Sequence, residues 1–123
     1  MIQNVKIAVV EADKDIRSFL IDALSYSVNR EVLSFESGLA IWNYLECNSI
    51  DIIFCDADIP DLNGFELISK IKNKYPKKIC ILMTGKPHYE KKIELLKVDA
   101  MLAKPFDLND IFNLVQIFIV EDK

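Results

Sequence analysis

Histidine is almost missing from this chain: His88 is the only one in 123 residues. No histidine pair and no Cys-His dyad can form internally, so chemistry that needs another imidazole must draw it from a second protein. Cysteine is scarce too. Cys47, Cys55 and Cys80 are odd in number, widely spaced and without a CxxC pair. Two of them lie inside apolar runs, so they read as buried, reduced thiols of a cytoplasmic protein rather than a disulfide framework. No apolar run reaches transmembrane length, the longest being interrupted by Asn113 and Gln116, so no membrane insertion is expected. The opening "MIQNVK" lacks the charged-then-apolar order of a signal peptide. Positive charge is not in excess either: 15 Lys and Arg against 19 Asp and Glu leave a net −4. That argues against a phosphate-backbone surface, and direct nucleic-acid binding is not expected. Linkers, low-complexity stretches and internal repeats are lacking as well.

What is there is a chain about half hydrophobic, read as a single domain over residues 1–123 with a two-sided core. Short apolar, β-branched runs occur at 5–10 ("VKIAVV"), 31–35 ("EVLSF"), 51–55 ("DIIFC") and 78–83 ("KICILM"), with a weaker apolar run at 100–103 ("AMLA"). Helical spacing separates them. Ile16, Phe19, Leu20, Ala23 and Leu24 form one amphipathic stripe. Ser37 caps a helix carrying Ile41, Trp42 and Leu45, in which Trp42 and Tyr44 serve packing. Phe65, Leu67, Ile68 and Ile71 face inward on a third helix, and Ile93, Leu95 and Leu96 mark a fourth. Asp107 caps a last helix running to about Val120. Five strand-then-helix rounds require crossovers, hence an α/β fold with a parallel sheet covered on both faces. Ligands then sit beyond the carboxyl ends of the strands.

Those ends carry a chemical set. After the first strand stand Glu11, Ala12 and Asp13; after the third, Asp56 and Asp58; after the fourth, Thr84 and Gly85; after the fifth, Lys104 and Pro105. Acids that can hold a divalent cation or attack phosphorus, with a hydroxyl and an ammonium for phosphoryl oxygens, form a phosphoryl-handling group. Asp13 reads as the cap of the helix starting near Lys14. Asp56 follows four apolar residues directly, where an acid without a role is unfavourable.

"DIIFCDADIPDLNGFELI", "ILMTG" and "AKPF" in this order resemble the receiver domain of two-component response regulators, the chemotaxis-regulator type included, over essentially the whole chain. The resemblance implies a flavodoxin-like (βα)5 three-layer sandwich with five parallel strands in the order 2-1-3-4-5. It implies a signalling domain rather than an enzyme, in which Asp56 accepts a phosphoryl group from a sensor histidine kinase or phosphotransfer protein. Thr84 would bond the new phosphoryl oxygens, Lys104 would pair with Asp56 and then with the phosphate, and Mg2+ would neutralise charge. The Lys104-Pro105 bond is typically cis in the family. Signalling would run through the face of the fourth helix, fifth strand and last helix.

The sequence departs from that pattern at two positions. The family's first strand usually ends in two acids, the second binding the cation directly; here the pair is Glu11-Ala12, which weakens the Mg2+ site. Asp58 is the possible replacement, giving a candidate metal set of Glu11, Asp56 and Asp58. Met101 stands where the family usually has Tyr or Phe, so the usual hydroxyl–aromatic switch is atypical here. A second reading is therefore a pseudo-receiver, a phosphorylation-independent interaction or dimerisation module. Ile111, Phe112, Leu114, Val115, Ile117, Phe118, Ile119 and Val120 cannot all face one sheet, which predicts a homodimer or downstream-partner surface on the last helix. The remote alternative, a haloacid-dehalogenase-like phosphatase, starts from Asp56-x-Asp58 but meets Pro60 in the wrong place and lacks a late acid pair. The cognate kinase, the output pathway and an output domain beyond Lys123 are not encoded in these residues.

Overall fold

The computed structural model describes residues 5–28, 31–85 and 98–120. Five strands, β1 (Ile7–Val10), β2 (Val32–Phe35), β3 (Ile52–Asp56), β4 (Ile79–Thr84) and β5 (Ala100–Ala103), form one sheet in the order β2-β1-β3-β4-β5. All four pairings are parallel. This is the flavodoxin-like order expected from the sequence. Three helices, α1 (Lys14–Val28), α2 (Gly38–Tyr44) and α3 (Gly64–Lys74), connect the first four strands, and a C-terminal helix spans Leu108–Val115. The helix expected around Ile93, and His88, lie outside the described residues.

The period of two along each strand sorts the core into two halves. Ile7, Val9, Ile52, Phe54, Ile81, Met83 and Leu102 meet Leu20 and Leu24 of α1 and Ile111 and Val115 of the C-terminal helix. Ala8, Val10, Ile53, Cys55, Cys80 and Leu82 meet Ile41 and Leu45 from the α2 segment and Leu67, Ile68 and Ile71 of α3. Strands β1 and β3 have no exposed residue, as a doubly covered parallel sheet demands. Each fully buried Ile or Leu contributes about 1.5–3 kcal/mol of transfer free energy, so these two layers hold the strand ends in place.

Local chemistry starts the helices where the sequence indicated. Asp13 Oδ1 accepts from the backbone N–H groups of Asp15 and Ile16 at 2.9 and 3.1 Å, capping α1. Ser37 accepts from Ala40 N, and Asp107 forms a reciprocal capping box with Asp110. Three details differ from expectation. Phe19, part of the predicted inward stripe, is 39 % exposed, its ring beside Phe106 at 6.2 Å. The C-terminal helix stops its α-helical pattern at Val115 and continues as a π-helical turn over Gln116–Val120. Strands β3 and β4 each run one residue further than read, so Asp56 and Thr84 close their strands instead of following them.

Candidate functional site

The carboxyl end of the sheet gathers the chemistry. Parallel pairing sets Asp56 beside Met83 and Thr84 beside Ala103. One residue on, Lys104 donates its backbone N–H to the Thr84 carbonyl at 3.0 Å, and Ala57 donates to Met83 at 2.9 Å. Glu11 is carried one step past β1, its N–H bonded to Phe35 O at 3.1 Å. Ladder hydrogen bonds thus bring residues far apart in sequence to one rim.

Glu11, Asp56 and Thr84 are buried to 5 % exposure or less, and they are the buried polar residues of this fold among those described. Buried carboxylates demand compensation. Lys104 supplies it: Nζ lies 2.7 Å from Asp56 Oδ1 and 2.8 Å from Glu11 Oε1. The second oxygens are also bonded, Asp56 Oδ2 by Asp58 N–H and Glu11 Oε2 by Asp13 N–H, both at 3.1 Å. Burial pulls the Lys104 ammonium toward lower pKa, but its hydrogen bonds and charge attraction to Asp56 and Glu11 outweigh that and raise it. Lys104 therefore stays charged.

The loop after Asp56 is shaped by Gly64. A Cβ there would lie 2.3 Å from the Asp56 carbonyl and 2.7 Å from Ala57 Cα, so no larger residue fits this approach. Its N–H donates to Ala57 O at 2.9 Å, which folds the loop back over the strand end. The Lys104-Pro105 peptide is cis. Beside it opens a hollow of about 420 Å³ lined by Asp15, Ile16, Phe19, Lys104, Pro105 and Phe106.

Of the expected site residues, Glu11, Asp56 and Lys104 form one ionic cluster, and Thr84 is buried at the adjacent strand end. Asp58 takes part through its backbone N–H, while its residue as a whole is exposed. Ala12 is exposed and its side chain is only a methyl group. Among the described residues, no group of three or more Asp, Glu, His or Cys is set to hold a metal ion. Mg2+ commonly rests on one or two carboxylates and keeps several waters, so Glu11 and Asp56 fit a hydrated ion and not a three-acid cage.

Arg17 was not singled out from the sequence. Its Nη1 donates to the backbone carbonyls of Glu11 and Ala12 at 2.8 and 3.2 Å, tying down the β1–α1 loop. The available signal was a cation near the N-terminus of a helix, where the dipole disfavours it. Cys55, next to Asp56 in β3, and Cys80, near the start of β4, are buried and Cys47 is exposed; all three thiols are free. Burial pushes the Cys80 thiol up to about 12 and raises Cys55 well above its ordinary value.

Comparison with known proteins identifies the family. The chain is 27 % identical over 112 residues to the response regulator FleR of Pseudomonas aeruginosa, covering 89 % of this chain and 24 % of that protein. It is 32 % identical over 119 residues to the protein MrkE of Klebsiella pneumoniae, covering 93 % of this chain and 43 % of MrkE. The chain thus spans about a quarter of FleR and less than half of MrkE. The crystal structure of the response regulatory domain of Klebsiella pneumoniae MrkE superimposes with a TM-score of 0.87 at 25 % identity, over 94 % of this chain and 96 % of that one. The family described as the response regulator receiver domain matches residues 7–116, and the chain belongs to it.

Proposed function

We propose that Asp56 is the phosphoacceptor of a two-component signalling domain. The observation that carries this reading is the Asp56 carboxylate itself, buried at the end of β3 with Lys104 Nζ at 2.7 Å and a backbone N–H on its other oxygen. An Asp56 oxygen attacks the phosphorus of a phosphohistidine on a partner kinase or phosphotransfer protein. A P–O bond forms, the P–N bond breaks, and the electron pair leaves with the imidazole. Asp56 becomes an acyl phosphate. Lys104 offsets the negative charge that arrives, and Thr84, buried at the end of β4, is the hydroxyl donor to a phosphoryl oxygen. When bound, Mg2+ would supply further neutralisation, held by Glu11 and Asp56, with Asp58 the nearest additional acid in sequence. Ala12 adds no oxygen to that set, so the ion is held weakly.

The chain's own histidine does not donate in this scheme, which makes a separate histidine-bearing protein the upstream partner. Downstream, Phe112 and Ile117 of the C-terminal helix segment are 36 % and 53 % exposed, and they form the apolar surface for an effector or a second copy. A second reading, a pseudo-receiver that acts by contact alone, is favoured by two specific observations. Ala12 removes a carboxylate, and Met101 is 45 % exposed on the edge strand, where no aromatic ring can take up a second position.

Acetyl phosphate separates the two. Intact-mass spectrometry of the phosphoacceptor would register the gain of one phosphoryl group in the wild type and none in Asp56→Ala. A folded wild-type protein that gains no mass, with or without Mg2+, would leave the contact-only reading standing.

A further inference from the structure

We propose that Asp61 is a positioning residue for Asp56: its carboxylate latches the β3–α3 loop onto the start of α2 and thereby aims the Asp58 N–H at Asp56 Oδ2. The proposal rests on the reading of Asp56 as phosphoacceptor and adds a residue that does not touch the reacting atoms.

Residues 57–63 lead from Asp56 to α3 and are fixed at three points. Near the strand, Asp58 N–H donates to Asp56 Oδ2 at 3.1 Å. Near the helix, Asn63 caps Glu66 N at 2.9 Å and Gly64 N–H returns to Ala57 O at 2.9 Å. In the middle, Asp61 Oδ1 accepts from Gly38 N at 3.0 Å and Leu62 N at 2.8 Å, while Oδ2 accepts from Leu39 N at 3.1 Å. Beyond the bond of Ala57 N–H to Met83 O at the strand end, the middle point is the contact that crosses to another part of the chain, 22 to 23 residues away.

At the start of α2 Ser37 accepts from Ala40 N, and Asp61 accepts from the two preceding N–H groups, that of buried Gly38 among them. Leu39 is 51 % exposed, so water could serve its N–H. The contact therefore joins the loop to the helix start and serves both. The fit is close as well: a Cβ on Gly38 would lie 2.9 Å from Leu62 O and 3.1 Å from Ile59 Cδ1. Ile59, buried to 4 % in the α2–α3 half of the core, fixes the same loop from inside. Desolvation would push the Asp61 carboxyl upward, but the N–H groups of Leu39, Gly38 and Leu62 pull it below its ordinary value, which keeps the latch ionised.

Three variants of the full chain test this: Asp61→Ala, which removes both acceptors; Asp61→Asn, which keeps one; and Gly38→Ala, which presses on the loop from α2. Two readouts are needed, the Asp58 amide in 1H–15N NMR spectra and the rate of phosphoryl gain from acetyl phosphate. Asp61→Ala is expected to move the Asp58 amide and slow phosphoryl gain roughly tenfold, inside the hundredfold that a 1 Å misplacement can produce. Asp61→Asn should fall between it and wild type, and Gly38→Ala should reproduce the signature from the other side of the contact. An unmoved Asp58 amide and an unchanged rate in a folded Asp61→Ala protein would overturn the proposal and leave Asp61 a helix cap. If the wild type takes no phosphoryl group, the phosphoacceptor reading fails, and the Asp58 amide alone still decides whether Asp61 positions the loop.

Discussion

Replacing Lys104 by Met keeps most of its length and apolar stem and removes one charge from a cluster of three. The structure sets the size of the effect. Lys104 Nζ is within 2.7–2.8 Å of two carboxylates whose side chains are only 7 % and 3 % exposed, while its own side chain keeps 22 % in solvent. Removing one partner of a buried ion pair destabilises by about 3–5 kcal/mol. Because the ammonium is partly solvated, we place Lys104→Met at or just below the bottom of that range, at about 2–3 kcal/mol. A domain of this size has about 5–15 kcal/mol in total, so the variant remains folded. With a urea slope of about 1–3 kcal/mol per M, its midpoint falls by about 0.7–3 M. The assay is a double-mutant cycle with Glu11→Gln in urea. Glu11→Gln removes one of the two acids left facing each other, so the double variant should recover about 1–2 kcal/mol relative to additivity. The Lys104 pKa is raised by folding, so this stabilisation is present below the ordinary lysine value and lost only as pH rises through the raised one. The penalty of Lys104→Met should therefore not change between neutral and mildly alkaline pH on account of this group. A penalty below about 0.5 kcal/mol, the range of ordinary surface substitutions, would refute the reasoning, as would an additive cycle.

The other predictions concern the frame around the cluster. Gly64→Ala should destabilise by about 1–3 kcal/mol or more through overpacking, since its Cβ would meet the Asp56 carbonyl at 2.3 Å; an unchanged urea midpoint would contradict the close approach. Iodoacetamide at neutral pH should modify Cys47 alone in the native protein, and all three thiols after unfolding, because burial lifts Cys80 to about 12 and Cys55 well above its ordinary value. Native-state labelling of Cys55 or Cys80, read by peptide mass, would show that the β3–β4 core opens. Phe112→Ser should leave the urea midpoint within about 0.5 kcal/mol of wild type, as suits an exposed side chain, while reducing any self-association seen in sedimentation; loss of folding would mean the ring is core.

Much of this site was legible because it sits where apolar runs end. Asp56, Thr84 and Lys104 each stand where a short apolar run ends in a fold whose strands are parallel, and parallel strands bring their carboxyl ends to one rim. Ser37, Asp13 and Asp107 were readable as caps for an equally local reason. What could not be read depends on tertiary contact. The Glu11–Lys104 pair joins residues 93 apart, and neither flanking sequence encodes the other. The Asp61 latch is likewise a cross-chain contact, and its residue looks like any turn acid after Pro60. Helical periodicity placed Phe19 inward without knowing that Phe106 stands beside it at the surface. Asp58 was read for its acid, and the hydrogen bond of its backbone N–H to Asp56 Oδ2 was not readable from spacing.

The most direct test of the account is to locate the phosphoryl group. After treatment with acetyl phosphate, sodium borohydride reduces an aspartyl phosphate to homoserine and so marks the acceptor in place. Peptide mass spectrometry should find the mark on Asp56, in the wild type and in Asp58→Asn alike, and nowhere in Asp56→Ala. A mark on Asp58, or a folded protein with no mark at all, would contradict the assignment of Asp56 as the residue that takes the phosphoryl group.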